Sequence, residues 1–176
     1  QLELCLSQGT THMRSHVMVD GHAGLEHLEC IQAVQQAYRP WVDLQLVAFP
    51  QHGILKSPGA AQYLDQACRQ GCEVIGGLDP AGFDRDIEGN LDVVFGLADK
   101  HGVAVDIHLH DPGTLGAFEI ERICERTRAL GLEGRVTISH AYCMGGLPEA
   151  EVGRLAERLA AADVAILTNA PGGMAF

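Results

Sequence analysis

The sequence predicts an α/β protein built as a partial (β/α)8 barrel, with about six parallel strands and five intervening helices. Three observations support this prediction: strand-type and helix-type segments alternate along the chain, the strands are nearly continuous apolar runs, and polar residues follow their carboxyl ends. Apolar strands separated by amphipathic helices are typical of a parallel sheet covered by helices. The fold class therefore follows from the pattern of elements.

The amino-terminal half contains three predicted strands and the helices between them. Segment 11–19 (THMRSHVMV) is the first strand, and the helix over 24–38 has apolar residues at positions 25, 28, 31, 34 and 37. The pair Arg39-Pro40 ends that helix, because proline cannot continue the hydrogen-bond ladder. The next elements are a strand (42–49), a helix that ends at a glycine (59–71) and a strand (72–78).

The carboxyl-terminal half repeats the alternation. A helix over 88–102 leads into an apolar strand over 103–110, which Asp106 interrupts. The remaining predicted elements are a helix (115–131), a strand (135–141), a helix (148–162) and a last strand (163–171).

Polar residues at the strand ends favour a barrel over a doubly wound sheet. In a barrel the carboxyl ends converge on one mouth, where active sites lie. A doubly wound sheet usually carries a Gly-rich phosphate loop, and GLDPAG (77–82) lacks the GxGxxG spacing. The polar residues at or just beyond these ends are His16, Gln51, Asp79, His108, His110, Asp111, His140 and Asn169.

The strand count is too small for a complete barrel. Eight strands and about 250 residues are typical, whereas this chain has 176 residues and six predicted strands. We therefore expect residues 1–176 to form a single domain that is the central segment of a larger barrel.

Composition excludes several classes of partner. The formal net charge of −11 argues against nucleic acid and anionic membranes, because an acidic surface is repelled by both. No apolar run approaches the roughly 20 residues of a membrane helix. The six cysteines show no CxxC pair and are interpreted as reduced thiols, which predicts a cytoplasmic protein.

Histidines at two neighbouring strand ends predict a metal site. His108 and His110 project to the same side of their strand, with Asp111 beside them, and His140 ends the next strand. Neutral imidazole binds zinc or iron, and a neighbouring carboxylate can carry protons. The alternative is that these histidines and Asp111 only form structural hydrogen bonds, and His-x-His alone does not separate the two.

Other polar residues predict less specific roles. Gln51 follows a strand and could bind the edge of a heterocycle, or it could serve only its own turn. His12, Arg14 and His16 alternate on one strand face, so the inward arginine needs a carboxylate or carbonyl partner in a polar layer below the site. Ligation by His12 and His16 together is not expected, because four residues on a strand separate them too far. Residues 79–86 could form a mobile loop over the mouth or a solvated charge cluster.

Four segments in this order resemble bacterial cytosine deaminase and its close relatives in the amidohydrolase superfamily. They are HMRSHV (12–17), PWVDLQLVAFPQHGIL (40–55), VDIHLHD (105–111) and RVTISHAYCM (135–144). The resemblance runs from about Gly9 to Pro171 and implies a (β/α)8 barrel. It also implies hydrolysis of C–N bonds in cyclic substrates by a metal-activated water.

The resemblance also implies roles for individual residues. His108 would be the metal ligand of the fifth barrel strand, and Asp111 stands where the family has its catalytic glutamate. His110 would share the proton transfer, and His140 would touch the attacking water or the substrate. Gln51 would hydrogen-bond the pyrimidine edge, with Phe49 nearby in the pocket.

The family's His-x-His on the first strand and its aspartate on the eighth strand have no counterpart in this sequence. The resemblance thus implies one divalent transition metal ion, Zn or Fe, with most ligands outside this chain. We expect a small heterocyclic substrate and a homo-oligomer for the full-length protein, and no activity from this segment alone. The alternatives are a ring-opening or N-alkyl amidohydrolase of the same architecture, or a non-catalytic α/β protein that binds a small ligand.

Overall fold

The structure is a computed structural model, and it describes residues 1–168. Its centre is one sheet of six parallel strands in the order in which they occur along the chain. The strands are β1 (His12–Met18), β2 (Asp43–Phe49), β3 (Val74–Leu78), β4 (Ala104–Leu109), β5 (Val136–His140) and β6 (Val164–Leu167).

Helices connect each strand to the next. The six helices are α1 (Leu2–Ser7), α2 (Glu26–Tyr38), α3 (Ala60–Arg69), α4 (Ile87–His101), α5 (Gly113–Ala129) and α6 (Glu149–Ala161). A short π-helical turn (Pro80–Asp84) follows β3, and a 3-10 turn (Tyr142–Gly146) follows β5.

The strand order confirms the predicted partial barrel. A doubly wound sheet reverses its strand order at a switch point, whereas β1 to β6 run in sequence without a reversal and curl into a half-barrel. The six strands and the five helices between them were predicted, and the short helix α1 was not. The predicted last strand extended to residue 171, and its end, together with Asn169, lies outside the described residues.

A continuous hydrophobic core lies between the sheet and its helices. It contains Leu64 of α3, Phe95 of α4 and Ile120 of α5, all nearly or fully buried, together with Ile75 and Ile107 of the sheet. Burying side chains of this size contributes about 1.5–3 kcal/mol each. The helices are therefore held on one face of the sheet, which leaves the other face for polar side chains.

The loop after β3 is held in place by a buried carboxylate. Asp84 is 6% exposed and accepts hydrogen bonds from the backbone N–H groups of residues 54–56 and from the Asn90 side chain. It thereby ties the loop after β3 to the loop that carries Gln51. The expectation of a solvated charge cluster is wrong for Asp84, whereas a mobile loop stays a prediction. Phe83 in the same loop is 38% exposed.

No helix between residues 1 and 168 has both the length and the apolar character needed to cross a membrane. The cysteines are all free thiols, and four of them are buried: Cys68, Cys72, Cys124 and Cys143.

Candidate functional site

The carboxyl ends of adjacent strands gather four imidazole rings. Strand register places Leu78 opposite His108 and Leu109 opposite His140, so β3, β4 and β5 end at one level. The His108 ring lies 4.5 Å from that of His16 on β1 and 4.7 Å from that of His140 on β5, measured between ring centroids.

His110 completes this group, which we call the histidine cluster (His16, His108, His110 and His140). The His110 ring stacks on His140 with centroids 4.6 Å apart and an interplanar angle of 29°. The parallel strands thus bring together three residues predicted for the site, His108, His110 and His140, and they add His16.

The backbone leaves the sheet through strained conformations at this edge. Asp79, His140 and Ala141 have φ values of +32°, +79° and +49°, in the region that L-residues rarely adopt. Such conformations cost on the order of 1–3 kcal/mol each and concentrate at functional sites. The His140 side chain is therefore held in place against a local conformational cost.

Two ring nitrogens of the cluster are buried without a partner. His140 Nε2 lies 3.2 Å from His108 Nδ1, and this contact leaves His108 Nε2 and His140 Nδ1 buried with no hydrogen bond among the described residues. Burial and the neighbouring His16 lower the pKa of His108 to about 4, and burial lowers the pKa of His140. Both rings are therefore neutral at physiological pH, which is the form that binds metals.

The geometry of the cluster suits a single cation. His108, His110 and His140 each offer a ring nitrogen, and these atoms lie within 4.8 Å of one another; His16, Asp106 and His108 form a second such set. Buried polar atoms without partners are rare in folded proteins. The unpartnered nitrogen of His108 thus fits the predicted ligand role.

Asp79 fixes the orientation of His110. Its two oxygens accept hydrogen bonds from the His110 backbone N–H at 2.6 Å and pair with His110 Nδ1 at 2.8 Å. A carboxylate on one ring nitrogen sets the tautomer, so that the other nitrogen faces the site. Asp79 therefore fixes the position of His110, and the catalytic role of His110 stays a prediction.

A polar layer lies directly beneath the histidines. The Asp106 side chain is completely buried and binds Arg14 Nη1 at 2.7 Å, Ser139 Oγ at 2.7 Å and His16 Nε2 at 3.3 Å. Burial would raise the pKa of Asp106, but hydrogen bonds from His16, Ser139 and Arg14 outweigh it and lower the pKa to about 2. The carboxylate partner expected for the inward arginine is thus Asp106.

Asp111 lies at the rim, against the loop after β3. Its Oδ2 accepts a hydrogen bond from the Gly82 backbone N–H at 2.8 Å. A Cβ at position 82 would lie 2.2 Å from Asp111 Oδ1, so a larger residue there would displace the Asp111 side chain. Asp111 is partly exposed, which leaves it accessible to a substrate.

The two predicted substrate-binding residues differ in their environment. Phe49 is buried, and its ring lies 4.6 Å from that of His108, in space that the missing side chain of Gly76 leaves open. Gln51 is exposed in the turn after β2. Phe49 therefore packs against the histidine cluster, whereas the role of Gln51 stays a prediction.

A pocket of about 770 Å³ opens beside the stacked rings of His110 and His140. Its wall includes Tyr142 and Thr168. This volume suits a small heterocycle. A pocket of equal volume between α5 and α6, on the outside of the sheet, is lined by none of the predicted site residues.

Sequence reasoning missed three acidic side chains at this edge as partners. Asp106 carried a usable signal, because it interrupts an apolar strand two residues before His108 and so faces the same way. Asp79 was noted for its position at a strand end and as part of the 79–86 loop, without its partner His110. Glu119 gave no signal, since a glutamate on an amphipathic helix is ordinarily exposed.

Comparisons with known proteins agree with this geometry. A model of the amidohydrolase family matches residues 2–176. The chain is 36% identical over 140 residues to N-isopropylammelide isopropyl amidohydrolase of Pseudomonas sp. (strain ADP), an alignment that covers 80% of this chain and 35% of that protein.

Solved structures give the same result. The crystal structure of N-isopropylammelide isopropylaminohydrolase from Burkholderia multivorans superposes with a TM-score of 0.92 at 44% identity, over 94% of this chain and 43% of that one. That of 5-methylcytosine deaminase from Klebsiella pneumoniae, liganded with 5-fluorocytosine, superposes with a TM-score of 0.82 at 30% identity, over 94% of this chain and 40% of that one. The chain thus spans less than half the length of these relatives.

Proposed function

This chain belongs to the amidohydrolase family, and on that premise we propose that it forms the central part of an enzyme that hydrolyses C–N bonds in cyclic amidines or amides. The observation that carries this proposal is that His108 and His140, at adjacent strand ends, each have a buried ring nitrogen without a hydrogen-bond partner among the described residues. Buried polar groups without a partner are rare in folded proteins, which supports a bound ion at these nitrogens.

We propose that His108 is a ligand of one divalent transition metal ion, zinc or iron. Its Nε2 is buried and unpartnered, and its lowered pKa keeps the ring unprotonated. When bound, such an ion supplies a Lewis acid that makes water nucleophilic near neutral pH. The identity of the metal is a prediction that elemental analysis decides.

The remaining residues are proposed to handle protons and substrate. Asp111 carries the proton to the leaving amine, because it is the partly exposed carboxylate at the rim. His140 holds the attacking oxygen, and His110, oriented by Asp79, assists the proton transfer. Phe49 packs against the ring of the substrate.

Gln51 is proposed to hydrogen-bond the polar edge of the heterocycle. Its exposed position in the turn after β2 leaves the amide free to reach a ligand. The buried carboxylate of Asp84 holds the loop that carries Gln51. Homo-oligomerisation of the full-length protein stays a prediction.

Two leaving groups are candidates: ammonia and an alkylamine. The sequence resemblance pointed to a cytosine-deaminase-like enzyme that releases ammonia. The higher identity and TM-score of the N-isopropylammelide hydrolase favour an alkylamine as the leaving group. Both substrates named by these relatives carry an exocyclic nitrogen on a heterocyclic ring, which is the substrate class we propose.

Product analysis tests the proposal. The full-length, metal-loaded protein is incubated with N-isopropylammelide, with 5-methylcytosine and with cytosine, and ammonia and isopropylamine are measured separately. We expect isopropylamine or ammonia from at least one substrate. Appearance of a carboxylate instead would indicate ring opening.

Variants of the cluster supply the control. His108→Ala is expected to lower metal content and abolish turnover, whereas His27→Ala, on the exposed side of α2, is expected to change neither. A purified protein without bound transition metal, and inactive on every heterocyclic amine after metal addition, would contradict the proposal.

A further inference from the structure

A second carboxyl group lies beside Asp111. Glu119 is in the second turn of α5, with 0% of the residue exposed, where this helix packs against the loop after β3. An ionised carboxylate in such a position needs a cation or several donors to offset its lost hydration.

The contacts of Glu119 do not supply that compensation. The Ala81 backbone N–H donates to Glu119 Oε1 at 2.8 Å, while Oε2 has no donor among residues 1–168. The titratable groups facing Glu119 are Asp111, Asp79 and Cys143, none of which is a cation. The surroundings therefore favour the neutral acid.

Two neighbouring amides hold the two carboxyl groups side by side. The Ala81 N–H binds Glu119 and the Gly82 N–H binds Asp111, both at 2.8 Å. Besides burial, the nearby Asp111 carboxyl group raises the pKa of Glu119, as expected for two carboxyl groups close together. Because ionised carboxylates only accept hydrogen bonds, such a pair holds together only when one member carries a proton.

The proton belongs to Glu119. It is completely buried, whereas Asp111 is partly exposed. Burial, with the nearby charges of Asp111 and Asp79, raises the pKa of Glu119 to about 8. At neutral pH Glu119 is therefore the member of the pair that holds the proton.

We propose that Glu119 keeps a proton and donates it in a hydrogen bond to Asp111, and so acts as a positioning residue for the Asp111 carboxylate. The bond holds the Asp111 side chain at the rim, ready to take part in proton transfer during the reaction. The importance of this arrangement for turnover rests on the proposed function, but the location of the proton does not.

Infrared spectroscopy tests the proton directly. Protein labelled with 13C at the glutamate carboxyl groups is compared with its Glu119→Gln variant at neutral pH. We expect the carbonyl band of a protonated glutamic acid in the wild type and its loss in the variant. A wild-type spectrum without this band would overturn the proposal, whatever the activity.

Kinetics of the full-length enzyme test the positioning role. Glu119→Leu removes the donor and is expected to lower kcat on the order of 10²-fold with a smaller change in KM, because misplaced groups cost rates of that size. Glu119→Gln keeps an N–H donor, so its kcat is expected to be at least about tenfold higher than that of Glu119→Leu. Equal losses in the two variants would overturn the role.

The pH profile separates positioning from simple packing. In the wild type, kcat should fall as the pH rises through about 8, because Glu119 then loses the donated proton. This fall should be absent in Glu119→Gln, which cannot titrate. If no heterocycle is hydrolysed but the infrared band is present, the proposed function fails and the proton assignment stands.

Discussion

The Asp106 carboxylate offers the sharpest test of the polar layer. It is completely buried and accepts hydrogen bonds from Arg14, Ser139 and His16. Asp106→Asn keeps the shape of the side chain and removes its charge. The variant thus leaves the Arg14 guanidinium without its anion.

The stability that Asp106→Asn should lose follows from the pKa of Asp106, which is about 2 in the folded protein against an ordinary value of 3.8. At about 1.36 kcal/mol per pKa unit, this difference corresponds to about 2.5 kcal/mol of stability. Since the folded pKa is the lower one, the contribution is complete above about pH 4 and is lost as the pH falls through about 2. Near pH 3 roughly half should remain.

Urea unfolding followed by circular dichroism measures this loss in wild type and Asp106→Asn from neutral pH down to pH 3. Asp43→Asn is the matched control, because Asp43 is exposed and lies 3.9 Å from an equally exposed His12; it should leave stability unchanged. A loss in Asp106→Asn no larger than in the control, or one independent of pH, would refute the reasoning.

Three further predictions concern the loops and the cluster. Asp84→Ala removes the acceptor for the amides of residues 54–56. We expect the free energy of unfolding to fall by about 3 kcal/mol and the amide hydrogens of residues 54–56 to exchange faster. Unchanged exchange would show that Asp84 does not hold the two loops together. Gly82→Ala places a Cβ 2.2 Å from Asp111 Oδ1 and should lower turnover on the order of 10²-fold with a folded circular dichroism spectrum, whereas full turnover would show that the contact is dispensable. In metal-free protein the His108 ring should titrate near pH 4 by NMR, and a midpoint at its ordinary pKa of 6.5 would show that the ring is not buried as described.

The fold was predictable because its signals are local. Each predicted strand contains the corresponding observed strand. The end of the last predicted strand lies outside the described residues. Continuous apolar strands indicate a parallel sheet, and the sequential strand order then requires only that each helix return the chain to the neighbouring position.

Part of the site was predictable for the same reason. His108 and His140 end successive strands, and neighbouring parallel strands end at the same edge. The alternation of its strand predicted that Arg14 points inward, so Arg14 was expected to need a carboxylate or carbonyl partner. Its actual partner, Asp106, is 92 residues away along the chain. The strand pattern around Asp106 marks it as an inward-facing acid, but it does not show that this acid pairs with Arg14.

The sequence by itself determined the α/β alternation, the barrel-type sheet and the strand ends at which imidazoles appear. The tertiary structure decided the pairings: Asp79 with His110, Asp106 with Arg14, and Asp84 with the loop before α3. The physical reason is that periodicity sets the direction of a side chain only within a regular strand or helix. At loop ends and across helix–loop contacts, packing between distant segments sets which groups meet, which lose water and which keep a proton.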